Sequence, residues 1–228
     1  MINPREKIKE IEELIEKALW EYEVRNELAK ALNAYQQAEA KLEALGVRED
    51  DPAYKEQQRV QAYCLMRQGN ILRQLGKPQE AMALSEREIN AARASGNEIT
   101  LAQSLMSNGT NLIVSGRIEK GLALLDEASE LYKKGNSYDH QQGLGWYWIL
   151  QADLANGGLV KREPSEVADF ATHALELLKP IENWTGVSRA YAARAKAFDQ
   201  LGDEQSGKKD REDQKLAEGK IGPGEGSD

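Results

Sequence analysis

Apolar side chains in the first fifth of the chain recur at three- and four-residue steps, the period of an amphipathic helix and not the alternation of a strand. Ile8, Ile11, Ile15, Leu19 and Tyr22 form one stripe, and Leu28, Leu32, Tyr35, Leu42 and Leu45 resume it after a phase shift near Arg25-Asn26. The shift predicts one long helix or two helices with a tight break, and it spoils the sustained heptad that a coiled coil requires. Asn3, Pro4 and Glu6 make a helix start: a capping side chain, a ring suited to the first turn and a capping carboxylate. Past the polar connection 46–51, Asp51-Pro52 opens the next helix by the same logic. No run of alternating β-branched residues follows, so helices punctuated by glycine are expected up to about Gly202.

The punctuation is periodic. Gly69 and Gly76 bracket Leu72, and 40 positions later Gly109 and Gly116 bracket Leu112. Ala81 and Gly121 follow at the same offset, and the second helices are expected to stop at Gly96-Asn97 and Gly135-Asn136, each glycine closing its helix in the left-handed conformation. Ala195, Phe198 and Gly202 are a fainter copy. Between them Trp148, Ala152 and Ala155 fit the same frame, with a longer connection over 156–164 and a second helix from Val167 to Leu177, ending at Pro180. Small residues at Gly69, Gly109, Ala152 and Ala195 let a paired helix approach closely, while large neighbours fill the adjoining groove. Such hairpins leave one face apolar, so they stack, and the last needs polar cover. Residues 203–228 fit that end, as a frayed, highly charged capping helix followed by a disordered tail.

These residues resemble the tetratricopeptide repeat (TPR). Leu65, Gly69, Leu72, Gly76, Ala81 and Ile89 match the family pattern in one unit, and Leu105, Gly109, Leu112, Gly116, Gly121, Leu125 and Ala128 match it in the next. The spacing exceeds the usual repeat of about 34 residues, as in long-repeat variants with an extended second helix. The likeness covers about residues 60–202, with 28–45 similar to the second helix of a divergent leading repeat. Ser85 and Glu88 depart from it, standing where the family has an aromatic and a small residue, and Ala152 replaces the usual glycine. The resemblance implies an all-α fold, an α-α superhelix or solenoid of stacked antiparallel helix hairpins. Its expected parts are an N-terminal long helix or helix pair (1–50), the TPR-like repeats (51–202), and the polar capping helix with its tail (203–228).

In that family the first helix of each unit lines the concave groove. Carried onto this chain, the first good unit offers Tyr63, Met66, Arg67, Asn70, Arg73 and Gln74, and the second offers Gln103, Met106, Ser107, Thr110 and Ile113. The third offers Trp146, Asp153 and Asn156, and the fourth Arg189, Lys196 and Gln200. Arg67, Asn70, Arg73, Arg189 and Lys196 are expected to point donors at an acidic peptide or a C-terminal carboxylate, which arginine forks bind well. Trp146 is divided evenly between ligand contact and core, whereas Trp148 takes the large core position of its unit. The carboxylate clamp of the family is not reproduced in adjacent units, since Thr110 stands where an Asn is needed.

Composition narrows the chemistry. Thirty Lys and Arg against 38 Asp and Glu give a net charge of −8, which argues against nucleic acid or anionic membrane as the main partner. A single cysteine excludes an internal disulfide, and Cys64 reads as a small buried residue. His140 and His173, the only histidines, lie far apart, and no metalloprotease, nucleophile-elbow or phosphate-loop motif occurs, so no catalytic residue, metal or cofactor is expected. No stretch approaches the roughly 18 apolar residues of a membrane span. The N-terminus lacks the apolar core of a secretory signal, and a cytoplasmic location is expected. The reading is a non-enzymatic scaffold that binds a protein segment or peptide, as an adaptor or regulatory module. The alternative is a self-associating assembly subunit, a homodimer formed through the Ile-rich N-terminal helix.

Overall fold

The computed structural model describes residues 3–221. Among these the chain forms ten α-helices and no strand: α1 (Pro4–Ala18), α2 (Leu28–Ala44), α3 (Tyr54–Gln74), α4 (Pro78–Ser95), α5 (Glu98–Val114), α6 (Ile118–Tyr132), α7 (Tyr138–Asn156), α8 (Pro164–Leu178), α9 (Trp184–Leu201) and α10 (Glu204–Glu218). Each odd-numbered helix turns back along the even-numbered helix that follows, giving stacked antiparallel hairpins. The turns of the last four hairpins use the glycines Gly76, Gly116, Gly158 and Gly202, all left-handed with φ between 72° and 85°, a conformation that costs a residue with a Cβ. The chain divides into two compact units, Met1–Ala128 and Ser129–Asp228, with α6 running across the boundary.

In the first unit the N-terminal stripe resolves into two helices. Asn3 caps α1 by accepting from Arg5 N, and Pro4 takes the first helical position. Beyond Ala18 the helix widens into a π-helical turn, Leu19–Glu23, closed by Val24 N to Leu19 O at 2.9 Å, and Asn26 then breaks it with φ 59°. Ile8, Ile11, Ile15, Ala18, Ala31, Tyr35, Ala38 and Leu42 form one buried core with Val60, Cys64 and Ile71 of α3. Each large side chain fully buried there contributes about 1.5–3 kcal/mol. The Ile-rich stripe that suggested self-association is therefore consumed inside its own unit. The helix expected from Asp51-Pro52 begins instead at Tyr54, because Asp51 Oδ1 accepts from Ala53 N at 2.8 Å and holds a turn ahead of it.

The small-residue positions are all buried but not equivalent. A Cβ on Gly109 would lie 2.8 Å from Leu125 Cδ2 and 2.9 Å from Gly121 O, so α5 and α6 cross in backbone contact. A Cβ on Gly69 would meet nothing within 4 Å, so the expected close crossing there does not require glycine. Gly96 closes α4 with φ 66°, and Asn97 goes on to cap α5 by accepting from Thr100 N. Gly135 does neither: its φ is not left-handed, and it lies against His140, whose Nε2 would be 2.6 Å from an added Cβ.

In the second unit, Ile149, Ala174, Leu175, Leu178, Val187 and Ala190 form one core, and Ala152, Val167, Ala171, Ala193 and Ala197 another. The C-terminal helix is not frayed. Asp203 caps it by accepting from Ser206 N, and Gly207 packs against α9, where a Cβ would come 2.6 Å from Asp199 Oδ1. Asp210 is buried and holds Arg194 of α9 in a two-pronged pair at 2.7 and 2.8 Å. α10 is thus the second helix of a full hairpin as well as its polar cover. The expected tail, 222–228, lies outside the described residues.

Candidate functional site

The first-helix faces of each unit carry the residues expected to meet a ligand. In the first unit Tyr63, Met66 and Asn70 of α3 and Met106 and Thr110 of α5 are partly buried, and Gln74 and Gln103 are exposed. Thr110 Oγ1 donates to Met106 O at 2.8 Å within its own helix, and Ser107 and Ile113 are buried.

Two of the expected cations are already committed. Arg67 is 7% exposed and forks onto Glu23 of the π-helical turn, its Nε 3.2 Å from Oε2. Tyr35 Oη donates to that same oxygen at 2.7 Å. The wide turn is what brings Glu23 to this point. Burial and the neighbouring carboxylate push the Tyr35 hydroxyl well above its ordinary range, so it stays a donor. Arg73 spans α3 and α5, donating to Asn70 Oδ1 and Asn111 Oδ1 at 2.8 Å each and to Ser107 O at 3.5 Å. Burial lowers the Arg73 pKa. Neither side chain is the open donor expected from its position. Each ties a neighbouring helix to α3.

The second unit keeps its cations at the surface. Arg189 of α9 pairs with Asp153 of α7 at 2.8 Å, with both side chains more than a third exposed, and its guanidinium lies 5.1 Å from the centre of the Trp146 ring. Seven residues further along α9, Lys196 Nζ donates to Asn156 O at 2.7 Å. Asn156 Nδ2 in turn donates to Ala193 O. Trp146 packs on the core of Ile149 and Leu178 and meets Arg189 at its ring. Trp148 is only partly buried. It stacks on Phe170 with centroids 5.5 Å apart, and it lies 5.1 Å from His173. Its indole is too large to sink fully where Leu65 and Leu105 do in the other units.

Glu88, Asn111, Glu23 and Asp210 are absent from the expected site yet organise the two units. Glu88 was legible as a departure from the repeat pattern. Gly207 carried a missed signal, since it stands at the same distance after Ala195 as Gly121 after Gly109. The only cysteine is inert: Cys64 Sγ donates to Tyr35 O, and burial pushes the thiol up to about 12. Among the described residues no His, Cys, Asp and Glu side chains gather as a metal set, and no helix is long and apolar enough to cross a membrane.

These hairpins, the last four each with its turn glycine and its small residue on the first helix, define a helical repeat protein of TPR-like fold. Solved structures agree. BtubC (BKLC) from P. vanneervenii superimposes with a TM-score of 0.62 at 12% identity, over 96% of this chain and 92% of that one. A Podosopora anserina structure of nearly identical TPR-like repeats gives 0.59 at 14% identity, over 96% of this chain and 98% of that one. No family model matches the sequence, and no curated protein matches it. The likeness is one of fold.

Proposed function

We propose that this chain is a non-enzymatic interaction scaffold whose first-helix faces hold a segment of another protein, and that the α7/α9 face takes an acidic one. The observation that carries this reading is the exposed pair of cations on α9, Arg189 and Lys196, with the partly buried Trp146 ring against Arg189. An exposed ion pair such as Arg189–Asp153 is worth only about 0–1 kcal/mol, so a partner carboxylate can take Asp153's place at little cost. Lys196 rests on a neutral carbonyl and keeps its full charge for a ligand. The Trp146 ring adds apolar area at low entropic cost beside Arg189. The neighbours in fold are TPR-like repeat proteins, which supports the interaction class without naming a partner.

The test uses synthetic peptides rich in Asp and Glu, with free or amidated C-termini, and neutral counterparts, titrated by calorimetry and tryptophan fluorescence. Acidic peptides are expected to bind and to weaken as salt rises. Arg189→Glu with Lys196→Glu should cost at least about tenfold in affinity, roughly 1.4 kcal/mol, with helicity unchanged. Equal binding of neutral peptides, or of acidic peptides to the double variant, refutes the reading.

A further inference from the structure

The joint between α4 and α5 is polar where a repeat array is normally apolar. Glu88 of α4 is 1% exposed, and it stands where the next hairpin buries Ala128. Ser104, Ser107 and Asn108 of α5 lie beside its carboxyl group, and Arg73 from α3 is the charged group, among the described residues, that acts on it. Arg87, next to it on α4, turns away to Glu39 and Glu43 of α2. Asn108 spends its Nδ2 on Ser104 O at 2.8 Å. Glu88 Oε1 and Asn108 Oδ1, both buried acceptors, make no hydrogen bond among the described residues, and neither does the buried hydroxyl of Ser107. Arg73 meanwhile is held by Asn70 and Asn111.

A carboxylate in this shell is a buried charge without adequate compensation, whereas a carboxylic acid is neutral and carries one donor. We propose that Glu88 is held as the neutral acid in the folded chain and acts as a proton-linked latch. Protonated, it closes the α4–α5 joint. Ionised, it draws Arg73 off Asn70 and Asn111 and loosens the α3/α5 face.

The electrostatics agree in sign. Burial pushes the Glu88 carboxyl from 4.5 up to about 8, although Ser104, Arg73, Asn108 and Ser107 all pull it back. A raised acid favours the fold below its unfolded value, so this contribution is complete below about pH 4.5, shrinks as pH rises, and is gone above about pH 8.

Carbon-13 and nitrogen-15 NMR of the intact chain reads both halves of the latch. The Glu88 carboxyl carbon is expected to stay in its protonated position at neutral pH and to titrate near pH 8, with the Arg73 Nε–H resonance moving along the same curve. A Glu88 carbon that titrates in the ordinary glutamate range overturns the neutral acid. An Arg73 resonance that stays fixed while Glu88 ionises overturns the coupling. In parallel, Glu88→Gln should remove the fall in melting temperature between about pH 5 and 8, as should Glu88→Ala, which copies the Ala128 arrangement. An unchanged pH profile in both variants counts equally against the latch.

Discussion

At the residue scale, two glycines in the same slot of neighbouring repeats do different work. Gly109 lets α5 rest on the backbone of α6, while Gly69 has open space on the side a methyl group would occupy. Gly109→Ala is therefore expected to destabilise by about 1–3 kcal/mol through overpacking. Gly69→Ala should be neutral or stabilise by roughly 0.5–1 kcal/mol, since a helix interior favours alanine. Chemical denaturation of the two variants checks the pair, and equal effects would mean that the crossings are alike. The glycine spacing was readable in the chain, but which glycine was sterically required was not. The answer depends on what the facing helix brings to the crossing: Gly121 and Leu125 for Gly109, and nothing within 4 Å for Gly69.

At the element scale, α10 shows how a charged segment becomes a structural helix. Its composition reads as solvated, and most of its surface is exposed. Two positions decide otherwise: Gly207 admits α9 closely, and Asp210 is 2% exposed against Arg194. Arg194 also reaches Thr172 Oγ1 of α8 at 3.1 Å, so one side chain joins three helices. Asp210→Ala leaves that guanidinium partly buried without its carboxylate. It should cost about 3–5 kcal/mol, with hydrogen exchange in α10 accelerating ahead of α7. Uniform protection in the variant would show that α10 docks without the pair. The N-terminal break carries the same lesson. Its phase shift marked where the helix ends, while the π-helical turn that aims Glu23 at Arg67 left no periodic signature.

At the scale of the whole molecule, cations on first helices serve two ends. In the first unit they are structural, closing α3 onto the leading hairpin through Glu23 and onto α5 through Asn111. Arg67→Glu would place a second carboxylate beside buried Glu23. The first unit is expected to lose more than about 3 kcal/mol of stability, seen as a lowered urea midpoint and exposed Tyr35. A near-normal midpoint would mean that the pair is dispensable. In the second unit Arg189 and Lys196 stand at the surface with weakly held partners, which is why the peptide-binding proposal rests there.

Local signals alone settled a good deal. Helical periodicity, the recurring small residues and the turn glycines specify stacked hairpins, because helix pairing needs close approach at regular intervals and tight turns need left-handed residues. Tertiary structure decided which charges are buried in the fold and which stand at the surface. Arg67 and Arg189 are both arginines on first helices, and only the helix packed against each, bearing a buried Glu23 or an exposed Asp153, makes one a fastener and leaves the other at the surface. Burial and pairing are properties of neighbours distant in the chain, and no periodicity along the chain encodes them.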